Sequence, residues 1–323
     1  VTSRSTSVGP AGTPPDARSG PELTNPRAER VRSVRALAGR PARVRAGRFL
    51  VEGPQAVREA VAVPAVVVRE LYLTPAAAGR YREVVAAAAA RGLAVRLGTE
   101  EVLAAMSPDA QGVVAVADLL DHRLEDVLAA RPRLIAVLAH VRDPGNAGTV
   151  LRTADALGAD AVVLTSASVD VHNPKVVRST AGSLFHLPVV TGVAPDVAVA
   201  ALRAAGLAVL AADGRGTHDV DTLLDEAAVA RAGEAGDGAM REREAPAGPD
   251  LRRPTAWVFG NEAWGLRPAG ADRADGADGD ERLADLAELA DAVVRVDLRG
   301  RAESLNLATA AALCLHASVR AQR

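Results

Sequence analysis

The sequence predicts an α/β protein whose larger part is a mostly parallel β-sheet covered by helices on both faces. Three observations carry this. Beyond residue 132, short strands such as "RLIAVLAH", "DAVVLTS" and "LAVLAAD" alternate with helical stretches and are near-continuously apolar, the pattern of strands buried on both faces. A chain of 323 residues favours two domains, on a prior of about 100–200 residues each. Hydrophobic residues make up 49% but aromatics only 2%, so a sizeable core must be built of Ala, Val and Leu.

The elements follow in order. Residues 1–27 are rich in Ser, Pro, Gly and Arg and predict a disordered tail, with order beginning near Ala28. Residues 28–120 predict a small α/β domain. It opens with a basic helix, "AERVRSVRALAGRPARVRAGR". A strand, turn and helix follow in "FLVEGPQAVREAVA". "AVVVRELYLTP" and "LAVRLG" predict strands around the helix "AAAGRYREVVAAAAARG". "TEEVLAAMS" predicts a helix capped by Thr99, and "GVVAVADL" a last strand. Residues 121–131 read as a linker.

Residues 132–323 predict the second domain. Helices are expected over "NAGTVLRTADALGA", "NPKVVRSTAGSLF" and "DVAVAALRAAG", with strands at "LPVVTG", "TAWVFGNE" and "DAVVRVDL". An alanine-rich helix in "RGRAESLNLATAAALCLHASVR" closes the chain. Two polar, Gly/Pro/Asp-rich stretches, 232–253 and 268–285, read as surface insertions.

Net charge is −2, so any nucleic-acid surface must be local. Basic charge is almost all arginine; Lys175 is the only lysine. The lone Cys314 has no partner for an internal disulfide and reads as a buried thiol. No signal-peptide h-region and no membrane-spanning apolar run is visible, which predicts a cytoplasmic protein without a membrane partner.

Three constellations carry chemistry. "HVRDPGNAGTVLRTADALGAD" places Asp143-Pro144-Gly145-Asn146 between a strand and a helix, where open α/β sheets bind ligands. Helical spacing sets Thr149 beside Arg152 or Thr153. "VFGNEAWGL" runs an apolar strand into Gly260, where a ligand approaches the backbone closely, and then into Glu262. In the third, Ser304 and Asn306 add side-chain donors and acceptors to the free N–H groups of a helix start. A dinucleotide-binding reading is weak: "DPGNAG" lacks G-x-G-x-x-G, and Thr165 and Ser166 stand where an acidic residue belongs.

In order and spacing these stretches resemble the three motifs of the SpoU/TrmH family of S-adenosylmethionine-dependent RNA ribose 2′-O-methyltransferases, within the SPOUT class. The likeness covers roughly residues 132–320. "RFLVEGPQAVREAV" and "SPDAQGVVAV" resemble the family's substrate-binding domain, a small ribosomal-protein-like RNA-binding fold.

The resemblance implies a SPOUT-type sheet with a deep trefoil knot, which connection rules alone would have excluded. It implies S-adenosylmethionine as cofactor, near Gly260, Val296 and Leu305, with Thr165, Ala212, Asp213 and Leu266 as neighbours. Asn146, Arg152, Glu262, Ser304 and Asn306 match the family's catalytic residues. A homodimer is implied, with the arginine arriving from the partner chain, and no metal. The implied substrate is RNA, ribosomal in preference to transfer RNA. Given that, the basic run suggests RNA contact through Arg43, Arg45, Arg48, Lys175 and Arg178. Two other readings are a catalytically inactive RNA-binding protein and a nucleotide-dependent oxidoreductase. The chain departs from the family pattern at Asp297, Thr180 and Ala263.

Overall fold

The computed structural model describes residues 22–235, 248–260 and 286–323. In chain order the elements begin with α1 (Glu29–Ala36), α2 (Arg40–Ala46), β1 (Arg48–Glu52), α3 (Pro54–Ala62), β2 (Val68–Leu73), α4 (Pro75–Arg80), α5 (Arg82–Ala90), β3 (Val95–Leu97), α6 (Glu100–Met106) and β4 (Val113–Asp118). They continue with α7 (Leu124–Ala129), β5 (Leu134–Leu138), α8 (Pro144–Ala156), β6 (Ala161–Thr165), α9 (Pro174–Ser179), β7 (Val189–Val193), α10 (Pro195–Ala204) and β8 (Ala208–Ala212). The last are β9 (His218–Asp219), α11 (Val220–Ala235), β10 (Thr255–Phe259), α12 (Leu286–Leu289), β11 (Ala292–Arg295) and α13 (Leu307–Ala321).

The chain divides into two compact units. One takes the described residues up to Leu120 together with His172–Phe185, and the other takes Asp121–Val171 and the described residues from His186 on. The first holds a four-stranded sheet in the order β1-β4-β2-β3, antiparallel except for the β2–β3 pair. One face buries Leu50, Tyr72, Val114 and Val116 against Val31, Val34 and Leu37 of the first helix and Val102, Leu103 and Met106 of α6.

Three details of this unit differ from the sequence expectation. Order starts earlier than Ala28: the backbone N–H groups of Glu22 and Leu23 donate to the Leu97 carbonyl, and Leu23 accepts from Thr99. The basic helix is two helices, because Gly39 is extended and Pro41 opens α2. The helix expected over 76–92 also breaks, at Tyr81, where φ −105 and ψ 54 are not helical. Thr99 caps α6 as expected, its side chain accepting from Val102 N–H.

The segment His172–Phe185 belongs to this unit although its sequence neighbours build the other sheet. Val176, Val177 and Leu184 are buried. The Phe49 ring lies 4.7 Å from His172 and 6.4 Å from Phe185. Arg178 bonds the buried Glu52 and also Asp109, and Glu52 accepts from Ser107. The helix expected over 173–185 stops at Ser179, because Ala181 (φ 51) and Gly182 (φ 104) turn left-handed.

The second unit holds a seven-stranded sheet among the described residues, in the order β7-β6-β5-β10-β8-β11-β9, with neighbouring strands parallel throughout. Chain order runs outward from β5 through β6 to β7, then returns to β8 on the other side of β10. The switch in direction therefore falls at β5 and β10, where such sheets open a crevice beyond their carboxyl ends. One face buries Ile135, Val137, Val163, Val209, Ala256 and Val258 against Leu124 of α7 and Ala198, Val199 and Leu202 of α10. On the other face the buried Trp257 indole donates to Ser318 of α13 at 2.8 Å and stacks with Phe259.

Three helices of this unit, α7, α11 and the short α12, go beyond the sequence expectation. α7 fills the presumed linker and buries Leu124 and Val127. α11 buries Val220, Leu223 and Ala227 at helical spacing. Its start is capped by Asp219, which accepts from Thr222 N–H at 2.9 Å, and it runs to Ala235, past the expected start of the first insertion. The rest of the tail and the greater part of both insertions lie outside the described residues.

Candidate active site

The register of the parallel sheet gathers the motif residues at one edge. Phe259 pairs with Leu138 on one side and with Ala212 on the other, and Val294 pairs with Ala212. The residues that follow these strand ends therefore lie side by side: His140 after β5, Gly260 after β10, Asp213 after β8, and Val296 after β11. The ladder continues one step beyond, Ala139 N–H donating to Phe259 and Asp213 N–H to Val294.

From β5 the chain turns directly into α8. Asp143 is the N-cap, its Oδ1 accepting from Asn146 N–H at 2.7 Å, and Pro144 fills the first turn, where no N–H is needed. α13 begins at Leu307 rather than at Ser304, and its N-cap is Asn306. Asn306 Oδ1 accepts from Ala308 N–H at 2.9 Å, while its Nδ2 donates to Asn146 Oδ1 at 3.0 Å. One amide–amide bond thus joins the first and third motifs. Two long helices start at this point, with the positive ends of their dipoles facing the same place. Such an arrangement favours an electron-rich oxygen.

Arg152 lies two turns along α8 and is exposed. It makes no hydrogen bond or ion pair to the described residues, so among them its permanent charge has no counter-ion. Thr149 Oγ1 back-bonds to Gly145. One turn beyond Arg152, Asp155 holds His186 at 2.7 Å. Ser304 is exposed in the segment leading to α13. Glu262, Leu266 and Ala263 lie outside the described residues.

The expected cofactor positions divide into two kinds. Gly260, Val296 and Leu305 make no backbone hydrogen bond to the described residues. Thr165 is buried and occupied: its Oγ1 accepts from His140 N–H at 3.2 Å and donates to Ser166. Ala212 ends β8, and after it Asp213 is ion-paired with Arg215. The departure at Asp297 has a role, since it pairs with Arg295 at 2.6 Å while Arg295 also donates to the Gly216 carbonyl. A side chain at Gly216 would meet the Arg295 backbone nitrogen at 2.7 Å. Thr180 is fully buried and bonds Val177.

Sequence reasoning misses His140, Gly216 and Arg295. His140 holds φ 55, a left-handed backbone uncommon for a side chain of this size and often kept at functional turns. Burial, and then the nearby Arg142, push its imidazole below the usual histidine range. No sequence signal marks a left-handed histidine.

The expected RNA contacts also divide. Arg43 is buried, 3% exposed, and donates to the carbonyls of Leu37 and Ala38 at 2.9 and 2.7 Å. It is an internal brace at the end of α1, which removes its guanidinium from the surface. Arg178 is engaged by Glu52 and Asp109. Arg48 lies within 4 Å of Glu70 and Asp118. Arg45 and Lys175 are exposed.

A parallel sheet with a polar constellation at its switch point defines an α/β ligand-binding enzyme, and the comparisons specify which. Residues 133–277 match the model of the SpoU rRNA Methylase family. Residues 50–123 match the model described as RNA 2′-O ribose methyltransferase substrate binding. The chain is 30% identical to the 23S rRNA (uridine(2479)-2′-O)-methyltransferase of Streptomyces viridochromogenes, over 88% of this chain and 86% of that protein. It is 29% identical to the 23S rRNA (guanosine(2553)-2′-O)-methyltransferase RlmP of Bacillus subtilis, over 91% and 98%. Among solved structures, the AdoMet-bound rRNA methyltransferase from Sinorhizobium meliloti matches with a TM-score of 0.69 at 27% identity, covering 92% of this chain and 96% of that one. The chain belongs to the SpoU rRNA methylase family.

Proposed function

We propose that this protein transfers a methyl group from S-adenosylmethionine to a ribose 2′-hydroxyl of ribosomal RNA, at the carboxyl edge of the parallel sheet. The observation that carries the reading is the Asn306–Asn146 bond, which unites two separate motifs at the starts of two helices. Relatives of similar identity act on a guanosine and on a uridine. A site shared among them therefore serves the ribose, and the base is read elsewhere.

When bound, S-adenosylmethionine supplies an electrophilic methyl on a sulfonium sulfur. The donor set fits it: the backbone groups of Gly260, Val296 and Leu305, which make no hydrogen bond to the described residues, would hold it, and Gly260 lets a ligand approach closely. Asn146 and Asn306 orient the ribose and, with the two helix starts, favour negative charge on its oxygen. The 2′ oxygen attacks the methyl carbon in line, the carbon–sulfur bond breaks, and the hydroxyl proton leaves to a phosphate oxygen or water. Arg152 stabilises the developing alkoxide as a fixed cation rather than removing the proton, since guanidinium does not deprotonate in proteins. Holding the two reactants in line recovers about 7–11 kcal/mol of barrier. Glu262 and Ser304 complete the site in this reading.

Family membership supports three further parts of the proposal. The sheet domain carries a deep C-terminal trefoil knot, the enzyme works as a homodimer with Arg152 serving the partner's site, and it acts in the cytoplasm, where ribosomal RNA is made. No helix of the described residues is long and apolar enough to cross a membrane. The test is Arg152→Ala: methyl transfer to ribosomal RNA should vanish while calorimetry still registers S-adenosylmethionine binding. Near-normal turnover would remove Arg152 from the mechanism.

A further inference from the structure

The helical corner α1–α2 lies ahead of residues 50–123, the part matched by the substrate-binding model. Between residues 22 and 48 the chain carries eight arginines and two glutamates, although its net charge is −2. Three of those arginines are committed. Arg30 pairs with Glu70, Arg48 lies near Glu70 and Asp118, and Arg43 is buried. The other five, Arg27, Arg32, Arg35, Arg40 and Arg45, are exposed and make no ion pair or side-chain hydrogen bond to the described residues. Elsewhere in the same unit Arg58, Arg69 and Arg178 each have a carboxylate partner.

All five fall within one short helical corner, α1, α2 and the turn before them. Arg32 and Arg35 stand one turn apart on α1 and are exposed, flanking the face that buries Val31 and Val34. Arg40 and Arg45 lie on the exposed side of α2, around Val44, which is 67% exposed. The buried Arg43 reaches back from α2 to the final carbonyls after α1. Those bonds tie the two helices together, so Arg32, Arg35, Arg40 and Arg45 are carried on one braced corner. Uncompensated like charges at helical spacing repel, and a polyanion relieves the repulsion.

We propose that α1–α2 is a cradle for the phosphate backbone of the RNA substrate, formed by Arg27, Arg32, Arg35, Arg40 and Arg45. It adds sequence-independent grip beyond the substrate-binding fold. Phosphate is the ligand because guanidinium matches its oxygens in pairs, while residues 22–48 contain no aromatic ring on which a base could stack. Such contacts position the RNA and carry no sequence information. The inference rests on the reading that RNA is the substrate.

The test uses the full chain and a labelled RNA stem–loop, with the dissociation constant followed against potassium chloride concentration. Replacing Arg32, Arg35, Arg40 and Arg45 together by Gln should flatten the log–log salt slope by about 2–4, at roughly 0.7–0.9 for each phosphate no longer neutralised. The matching Lys variant should keep most of the slope, since it keeps the charges. Arg58→Gln with Arg69→Gln should leave it unchanged. S-adenosylmethionine binding should be equal in all of them, which shows the fold intact. An unchanged slope in the Gln variant overturns the proposal and makes the corner a solvated face. Wild-type protein that does not bind the RNA overturns it as well. Tight, salt-sensitive RNA binding without methyl transfer would uphold the cradle and count against the catalytic reading alone.

Discussion

Asn306 makes two bonds with opposite ends of one amide, and two substitutions separate them. Asn306→Asp keeps the acceptor that caps α13, so stability should stay within about 0.5 kcal/mol by thermal denaturation. It also places a carboxylate against Asn146 and the ribose oxygen. Methyl transfer should then fall about 10²-fold or more, the scale of losing one donor to developing negative charge. Asn306→Ala should lose the cap too, at about 1 kcal/mol. Equal activity in the Asp variant would reduce Asn306 to a cap.

His140 is a second residue-scale test. Its folded pKa is lowered, by burial first and by Arg142 second. The unfolded chain therefore takes up the proton first as pH falls. The stability this contributes is present above about pH 6.5 and is lost as pH drops through the folded value. His140→Asn keeps a residue that tolerates left-handed backbone but does not titrate. In urea titrations at about pH 7.5 and 5.5, on either side of the ordinary histidine value, the wild type should lose more stability than the variant. Parallel curves would contradict the assignment.

At the scale of elements, the sequence is readable where periodicity and turn residues agree. The apolar runs announce the parallel strands, and D-P-G-N announces the turn into α8. Thr99 marks the cap of α6, and Cys314 the buried face of α13, where burial pushes its thiol up to about 12. What is not readable depends on contacts distant in sequence. Nothing local says that Arg43 faces inward, that Leu23 joins Gly98, or that His172–Phe185 packs on β1. Nor do the polar residues before α13 reveal which one caps it: Ser304 fits a cap equally well by type, and Asn306 is the cap because its amide also reaches Asn146.

Two element-scale substitutions follow. Gly182 holds φ 104 beside Glu59, so Gly182→Ala should cost about 1–3 kcal/mol in denaturant unfolding. Ser318→Ala strands the buried Trp257 N–H between β10 and α13 and should cost about 1–3 kcal/mol. Stability within error of wild type in either variant would contradict the packing described.

At the scale of the whole molecule, the proposed dimer shares its catalytic residues between chains, which subunit mixing tests. Arg152→Ala and Asn306→Asp proteins should each be inactive. Mixed and allowed to exchange, half of the dimers become heterodimers carrying one complete site, and activity should return to about a quarter of wild type. No recovery after verified exchange would place Arg152 in its own chain's site.

Ribose methylation of ribosomal RNA is the activity that the site and the family membership support. Its most direct test is to incubate the purified protein with unmodified large-subunit ribosomal RNA and labelled S-adenosylmethionine, and to map the product nucleotide by nucleotide. A new 2′-O-methyl group should appear at a discrete position and be absent with Arg152→Ala. Label on a base, or no label in any ribosomal RNA, would contradict the claim.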